Sequence, residues 1–92
     1  MGADFGELDQ AINCVIDKAN DGCCVSQSIL ASLLECKAIQ ENNPQYLDDA
    51  EYWYMQSAAG GHIPSAIYLE NDWPNTKRSY LLLINNQISN SG

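Results

Sequence analysis

The sequence predicts an all-α fold of α/α helical-hairpin repeats with about five helices. Apolar residues recur at steps of three and four along most of the chain, the spacing of one buried helix face. An Asp-Gly step, a Gly-Gly pair and prolines interrupt that spacing where a chain would reverse. The chain also resembles itself at an offset of 39 residues, the distance from Ala11 to Ala50.

The first helix places Phe5, Leu8, Ile12, Val15, Ile16 and Ala19 on one face, with Asp4 positioned to cap its start and Asp21-Gly22 to stop it. A second helix is expected from about Val25 to Ala38, with Val25, Ile29, Leu30, Leu33 and Leu34 as its apolar set. Glu41-Asn42-Asn43-Pro44 breaks it. A third runs from about Leu47 to Ala59. Asp48, Asp49 and Glu51 crowd its first turn, where the helix dipole favours negative charge, and Gly60-Gly61 ends it. A short fourth helix starts near Ile63-Pro64, because proline is tolerated in a first turn, and carries Ala66, Ile67, Tyr68 and Leu69. Asn71 to Asn75 reads as a loop holding Trp73 and Pro74. A last helix covers about Thr76 to Ile88. Its Tyr80–Ile84 run also suits a buried strand, but no second strand candidate exists to pair with it.

The internal similarity has a mechanical basis. Leu8-Asp9-Gln10-Ala11 matches Leu47-Asp48-Asp49-Ala50, and the same offset pairs Ala19 with Ala58, Gly22 with Gly61, Ser26 with Ser65 and Leu30 with Leu69. Small residues let helix backbones approach closely. A glycine after a helix can take the left-handed conformation that reverses the chain. Two hairpins stacked side by side bury faces that neither buries alone. The 92 residues therefore read as one domain: repeat one over 8–46, repeat two over 47–75, and a terminal capping helix over 76–89.

Ala50, Trp53-Tyr54, Ala58 and Gly61-His62 resemble the signature of the Sel1-like repeat family, which belongs to the tetratricopeptide-like α/α arrays. The likeness covers Asp49 to Leu69, with Ser57 in place of the first alanine of an Ala-Ala pair and Ser65 at the next helix's small position. It is degenerate over Leu8 to Leu30, where Cys14-Val15 stand for Trp-Tyr, and ends beyond Asn71. Glu41 to Gln45 replaces the glycines usual between the helices of a repeat. The resemblance implies a superhelical array that works as an adaptor or scaffold by binding other proteins.

Charge narrows the function classes. Twelve acids against four bases give a net charge of −8, a field that repels nucleic-acid phosphates and anionic lipid and attracts basic partners. The same excess serves solubility alone equally well. No run approaches the roughly 20 apolar residues of a membrane span, and Met1 to Asp4 lack the features of a signal peptide, so a cytoplasmic protein is expected. Cys14, Cys23, Cys24 and Cys36 match no zinc spacing, and Cys23-Cys24 do not suit a simple disulfide. They read as mostly buried or half-buried free thiols in a reducing compartment, with a redox or disulfide role as the alternative.

No catalytic residue, metal or cofactor is expected. His62, the only histidine, has no nucleophile motif around it and is assigned to turn structure, and Gly60-Gly61 is no phosphate loop. The expected function is binding of another protein, specifically as an acidic bacterial immunity or inhibitor protein that covers a basic toxin or effector domain. The alternative is a generic Sel1-like scaffold or a terminal fragment of a larger array. Asp48, Asp49 and Glu51 form an acidic patch for the partner, or else only complement the helix dipole. Tyr52 points outward as an aromatic anchor. Trp73, beside Glu70 and Asp72, is either a lid over the fourth helix or an exposed hot spot. With the concave face assigned to the second and fourth helices, Gln27, Glu35 and Glu70 join the candidate contacts.

Overall fold

In the computed structural model, which describes the backbone of residues 3–91 and the side chains of residues 7–87, helices account for nearly the whole chain. They are α1 (Ala3–Asn20), α2 (Cys24–Gln40), α3 (Gln45–Ala59), α4 (Ile63–Ile67) and α5 (Trp73–Ser91), with a π turn over Tyr68–Asp72 between α4 and α5. No strand occurs among the described residues, so Tyr80–Ile84 is helical. α2 is the central element, packed between α1 and α3. α4 leans on α3, and α5 returns to touch α2. The result is a flat body of 43 × 30 × 16 Å.

Small residues set how closely these helices lie. Ala19, Ala31, Ala38, Ala50, Ser57 and Ser65 are all buried where helices meet. Leu30, Leu47 and Ile84 fill the space between, each fully buried side chain contributing about 1.5–3 kcal/mol. The serines keep their hydroxyls satisfied. Ser57 Oγ donates to the Cys24 carbonyl at 2.6 Å, tying the end of α3 to the start of α2.

The two reversals at the 39-residue offset share one geometry. Gly22 has φ +99° and Gly61 φ +101°. The amide of Gly22 donates to the Ala19 carbonyl and that of Cys23 to Lys18. The amide of Gly61 donates to Ala58 and that of His62 to Ser57. These paired bonds close helices α1 and α3 with the same left-handed cap. Cys23 and His62 then open α2 and α4 in the same extended conformation. The end of α2 uses Asn42 at φ 51° instead, a residue that tolerates this region better than most.

Three sequence expectations need correction. Helix α1 begins at Ala3, so Asp4 lies inside it rather than capping it. The Phe5 side chain lies outside the described residues. Asn71–Asn75 is not a loop: α4 continues through the π turn directly into α5. In that turn the Trp73 amide reaches back five residues to the Tyr68 carbonyl. Pro74, which has no amide hydrogen, follows where the regular ladder is already broken. The extra residue in the wide turn also rotates all that follows by roughly a quarter turn. That rotation puts Trp73, Tyr80 and Ile84 on the inner face. Finally, the cysteines are free, but Cys14, Cys23 and Cys36 are exposed and only Cys24 is half-buried. Ile12, Val15, Ile16 and Leu34 near them in sequence pack on the core, and Cys14 and Cys36 fall outside that buried face.

A Cβ built on Gly22 or Gly61 meets nothing within 4 Å, so substitution there tests backbone strain alone. Gly22→Val and Gly61→Val should each cost about 1–3 kcal/mol. Each kilocalorie lowers the melting temperature of a chain this size by roughly 4–8 °C. Thermal melts followed by circular dichroism check both, and a wild-type melt for either variant contradicts the shared cap.

Candidate functional site

The most developed polar cluster centres on Glu35, in the middle of α2. Its side chain is buried, yet no lysine or arginine pairs with it among the described residues. Phenols take the place of a cation. Tyr54 Oη on α3 donates a short hydrogen bond to Glu35 Oε2. Tyr68 Oη, at the start of the π turn, is shared between the two carboxylate oxygens at 3.3 and 3.4 Å. Tyr80 on α5 lies close enough for the Glu35 charge to act on its hydroxyl. The rings of Tyr54, Tyr68 and Trp73 lie against one another, with centroids 4.9–6.0 Å apart.

This cluster forms one wall of an open groove of about 440 Å³ between α2, α3 and α4. Ser28, Ile29, Ser32 and Glu35 line it from α2, Tyr54 from α3, and His62, Pro64, Ser65 and Tyr68 from the chain around α4. A relay of hydroxyls fixes proton positions on the α4 side. Ser57 donates to a carbonyl, so it accepts from Ser65 Oγ at 3.0 Å. Ser65 in turn accepts from His62 Nδ1 at 2.7 Å. Neutral His62 therefore carries its hydrogen on Nδ1 and its lone pair on Nε2. Because His62 donates to the buried Ser65, it does not serve as that serine's base, and the pair is not a nucleophilic dyad.

The sequence-derived candidates separate into three groups. Asp48, Asp49, Tyr52, Glu70 and Asp72 are exposed. Glu51 is half-buried and structurally engaged: its Oε1 accepts from Trp73 Nε1 at 3.0 Å and from Lys77 Nζ at 2.9 Å. Lys77 also reaches Asp48 at 3.0 Å, fastening α5 to α3. The Lys77 ammonium, and then the indole, hold the Glu51 carboxyl below its usual range. Trp73, 3% exposed, is core rather than a hot spot, because the π turn rolls it inward. Gln27 is likewise enclosed, its Nε2 donating to the Ala19 carbonyl at 3.0 Å. Glu35 is buried but borders the groove.

Sequence reasoning missed Ser28, Ser32, Tyr54, His62, Ser65 and Tyr68 as groove residues. The one available signal was helical spacing: Ser28, Ser32 and Glu35 fall three and four apart, a polar stripe on an otherwise apolar helix. Comparison with family models, with curated proteins and with solved structures finds no match for this chain. No helix among the described residues is long and apolar enough to cross a membrane, and no group of histidine, cysteine and acidic residues there is arranged to hold a metal ion.

Two chemical outcomes follow. Burial, then the nearby Glu35 charge, pushes the hydroxyls of Tyr54, Tyr68 and Tyr80 above the ordinary phenol value of 10. Such groups stabilise the fold fully below the unfolded-state value of about 10, and that stability falls as pH rises toward the folded values. In an alkaline titration the phenolate absorbance of these three should appear together with loss of the helical signal. Phenolates forming before any unfolding contradict the buried network. Separately, Cys23 is exposed at the start of α2, and hydrogen bonds from Ser26, side chain first and then backbone, lower its thiol. It should react fastest with a thiol reagent near neutral pH, and Cys23→Ser should remove that fast phase alone.

Proposed function

We propose that the chain acts without catalysis by binding a basic protein, in the manner of an acidic immunity or inhibitor protein that covers a toxin or effector domain. The distribution of charge carries this reading. All twelve acids lie before Trp73, while α5 contains Lys77, Arg78 and no acid. Lys77 is spent on Asp48 and Glu51, and Lys37 on Asp9 and Glu41. Most of the negative surface thus has no internal partner to neutralise it, and its field draws a basic protein inward. The matched caps at Gly22 and Gly61 support an α/α array of the Sel1-like type as the frame.

A second reading has its own observation. Leu81, Leu82 and Leu83 are all exposed on α5, at successive positions that point in different directions around the helix. Over this one turn α5 shows apolar side chains to solvent, and exposed apolar surface of this kind is what further chain covers. On this reading the chain is a terminal piece of a larger scaffold, and further helices pack on α5.

The first reading is tested by isolating the bound protein from the native host and measuring association kinetics at several salt concentrations. A basic partner is expected, with an on-rate that falls steeply between low and physiological ionic strength. Asp49→Lys with Asp72→Lys, both exposed and outside the ion pairs, should slow association roughly 10-fold and leave the helical signal unchanged. Asp48 and Glu51 are best left intact, because their reversal would also break the bonds that hold Lys77 and Trp73. Tyr52→Ala should instead raise the off-rate, because an aromatic anchor acts after contact. A partner of acidic character, or kinetics indifferent to salt and to these variants, refutes the electrostatic reading.

A further inference from the structure

We infer that the groove beside Glu35 receives an arginine side chain from the partner, flanked by aliphatic residues; this rests on the basic-partner reading and names its contact. Glu35 is buried in a chain whose four cations all lie elsewhere: Lys37 and Lys77 in their own ion pairs, and Lys18 and Arg78 unpaired with it. Buried charges are ordinarily paired with an opposite charge. The two phenols that donate to it do not use all of its capacity, since a carboxylate offers about four acceptor positions and Tyr68 gives only long, shared contacts. Glu35 also lines the open groove, so the approach to it lies on the solvent side of the fold.

The surroundings favour a guanidinium. Its planar fork can give two parallel bonds to a carboxylate, and its face packs on an aromatic ring. Tyr54 and Tyr68 supply rings at the groove wall, and the hydroxyls of Ser28 and Ser32 supply acceptors at its mouth. Ser28 and Ser32 belong to α2, whereas His62, with its Nε2 lone pair, approaches from the opposite rim. An ammonium satisfies the charge but neither the fork nor the face. The rim is apolar and uncovered. Ile29 and Pro64 line it, Val25 stands one turn before Ile29, and Ile63 and Ile67 stand on α4, each of these isoleucines and the valine at least 44% exposed. Aliphatic residues on either side of the arginine would rest there, burying surface that is otherwise wet. The π turn contributes by presenting Tyr68 to the groove while turning Trp73 into the core.

The test uses the full chain, labelled for NMR, titrated with the peptide acetyl-Leu-Arg-Leu-Leu-amide and with analogues carrying lysine or citrulline in place of arginine. Saturable shifts are expected at Ser28, Ser32, His62 and Tyr68, with affinity falling from arginine to lysine to citrulline. Glu35→Gln should weaken the arginine peptide at least tenfold. Ser32→Arg, which leaves Glu35 in place and offers it a guanidinium from the same helix face one turn away, should abolish binding while the melting temperature is held or raised. Non-saturating shifts, equal affinity for the citrulline peptide, or full binding by Ser32→Arg overturn the inference. Shifts confined to Asp48 and Asp49 overturn it too but leave the basic-partner reading standing. Salt-insensitive binding of the native partner removes that reading independently.

Discussion

Glu35 gathers phenols from three separate elements: Tyr54 of α3 and Tyr68 of the π turn donate hydrogen bonds to it, and the Tyr80 hydroxyl of α5 lies within reach of its charge. Each phenol must come from its own helix to a single point on α2, and this convergence sets where α3, the π turn and α5 lie around the central helix. The arrangement is costly to leave incomplete, because removing one donor from a buried carboxylate forfeits a hydrogen bond to a charge, worth about 1.5–3 kcal/mol. It is also directional in a way apolar packing is not. Leu30, Leu47 and Ile84 supply burial, while the phenol bonds select one register among those that burial alone would accept.

The π turn follows from the same constraint. Without its extra residue, Trp73, Lys77, Tyr80 and Ile84 would face roughly a quarter turn away from α2 and α3. With it, the Trp73 indole reaches Glu51, Lys77 bridges Glu51 and Asp48, and Tyr80 comes under the Glu35 charge. A local defect in one helix is thus stabilised by three side-chain bonds to α3. The groove is the space left where α4 diverges from α2 ahead of that defect, which is why it combines an apolar rim with a charged floor.

The charge pattern separates structure from surface. Lys37 and Lys77 are placed between helices, Lys37 joining α1 to the end of α2 and Lys77 joining α5 to α3. Exposed pairs of this kind contribute little to stability, about 0–1 kcal/mol each. Their larger consequence is to remove half of the chain's cations from the solvent-facing surface. The charge that faces solvent is mainly acid, interrupted by the exposed apolar residues of α2, α4 and α5.

The local features were legible in the linear pattern alone. Steps of three and four among Ile12, Val15, Ile16 and Ala19, and again among Leu30, Leu34, Leu47, Ala50 and Tyr54, reflect a 3.6-residue period that needs no knowledge of neighbours. The reversals at Gly22 and Gly61 were equally legible, because positive φ is a property of one residue. Of the site, the acids Asp48 and Asp49 and the outward Tyr52 were visible as such. The groove, the burial of Gln27 and Trp73, and the role of Glu35 were not. Pro74 and its polar neighbours satisfy the rules for a loop, and only a gain in contacts to α2 and α3 makes a widened helical turn preferable there. A glutamate in the middle of an amphipathic helix ordinarily faces water. That Glu35 does not depends on two tyrosines 19 and 33 positions away, and a linear pattern carries no record of which distant hydroxyls will meet one carboxylate.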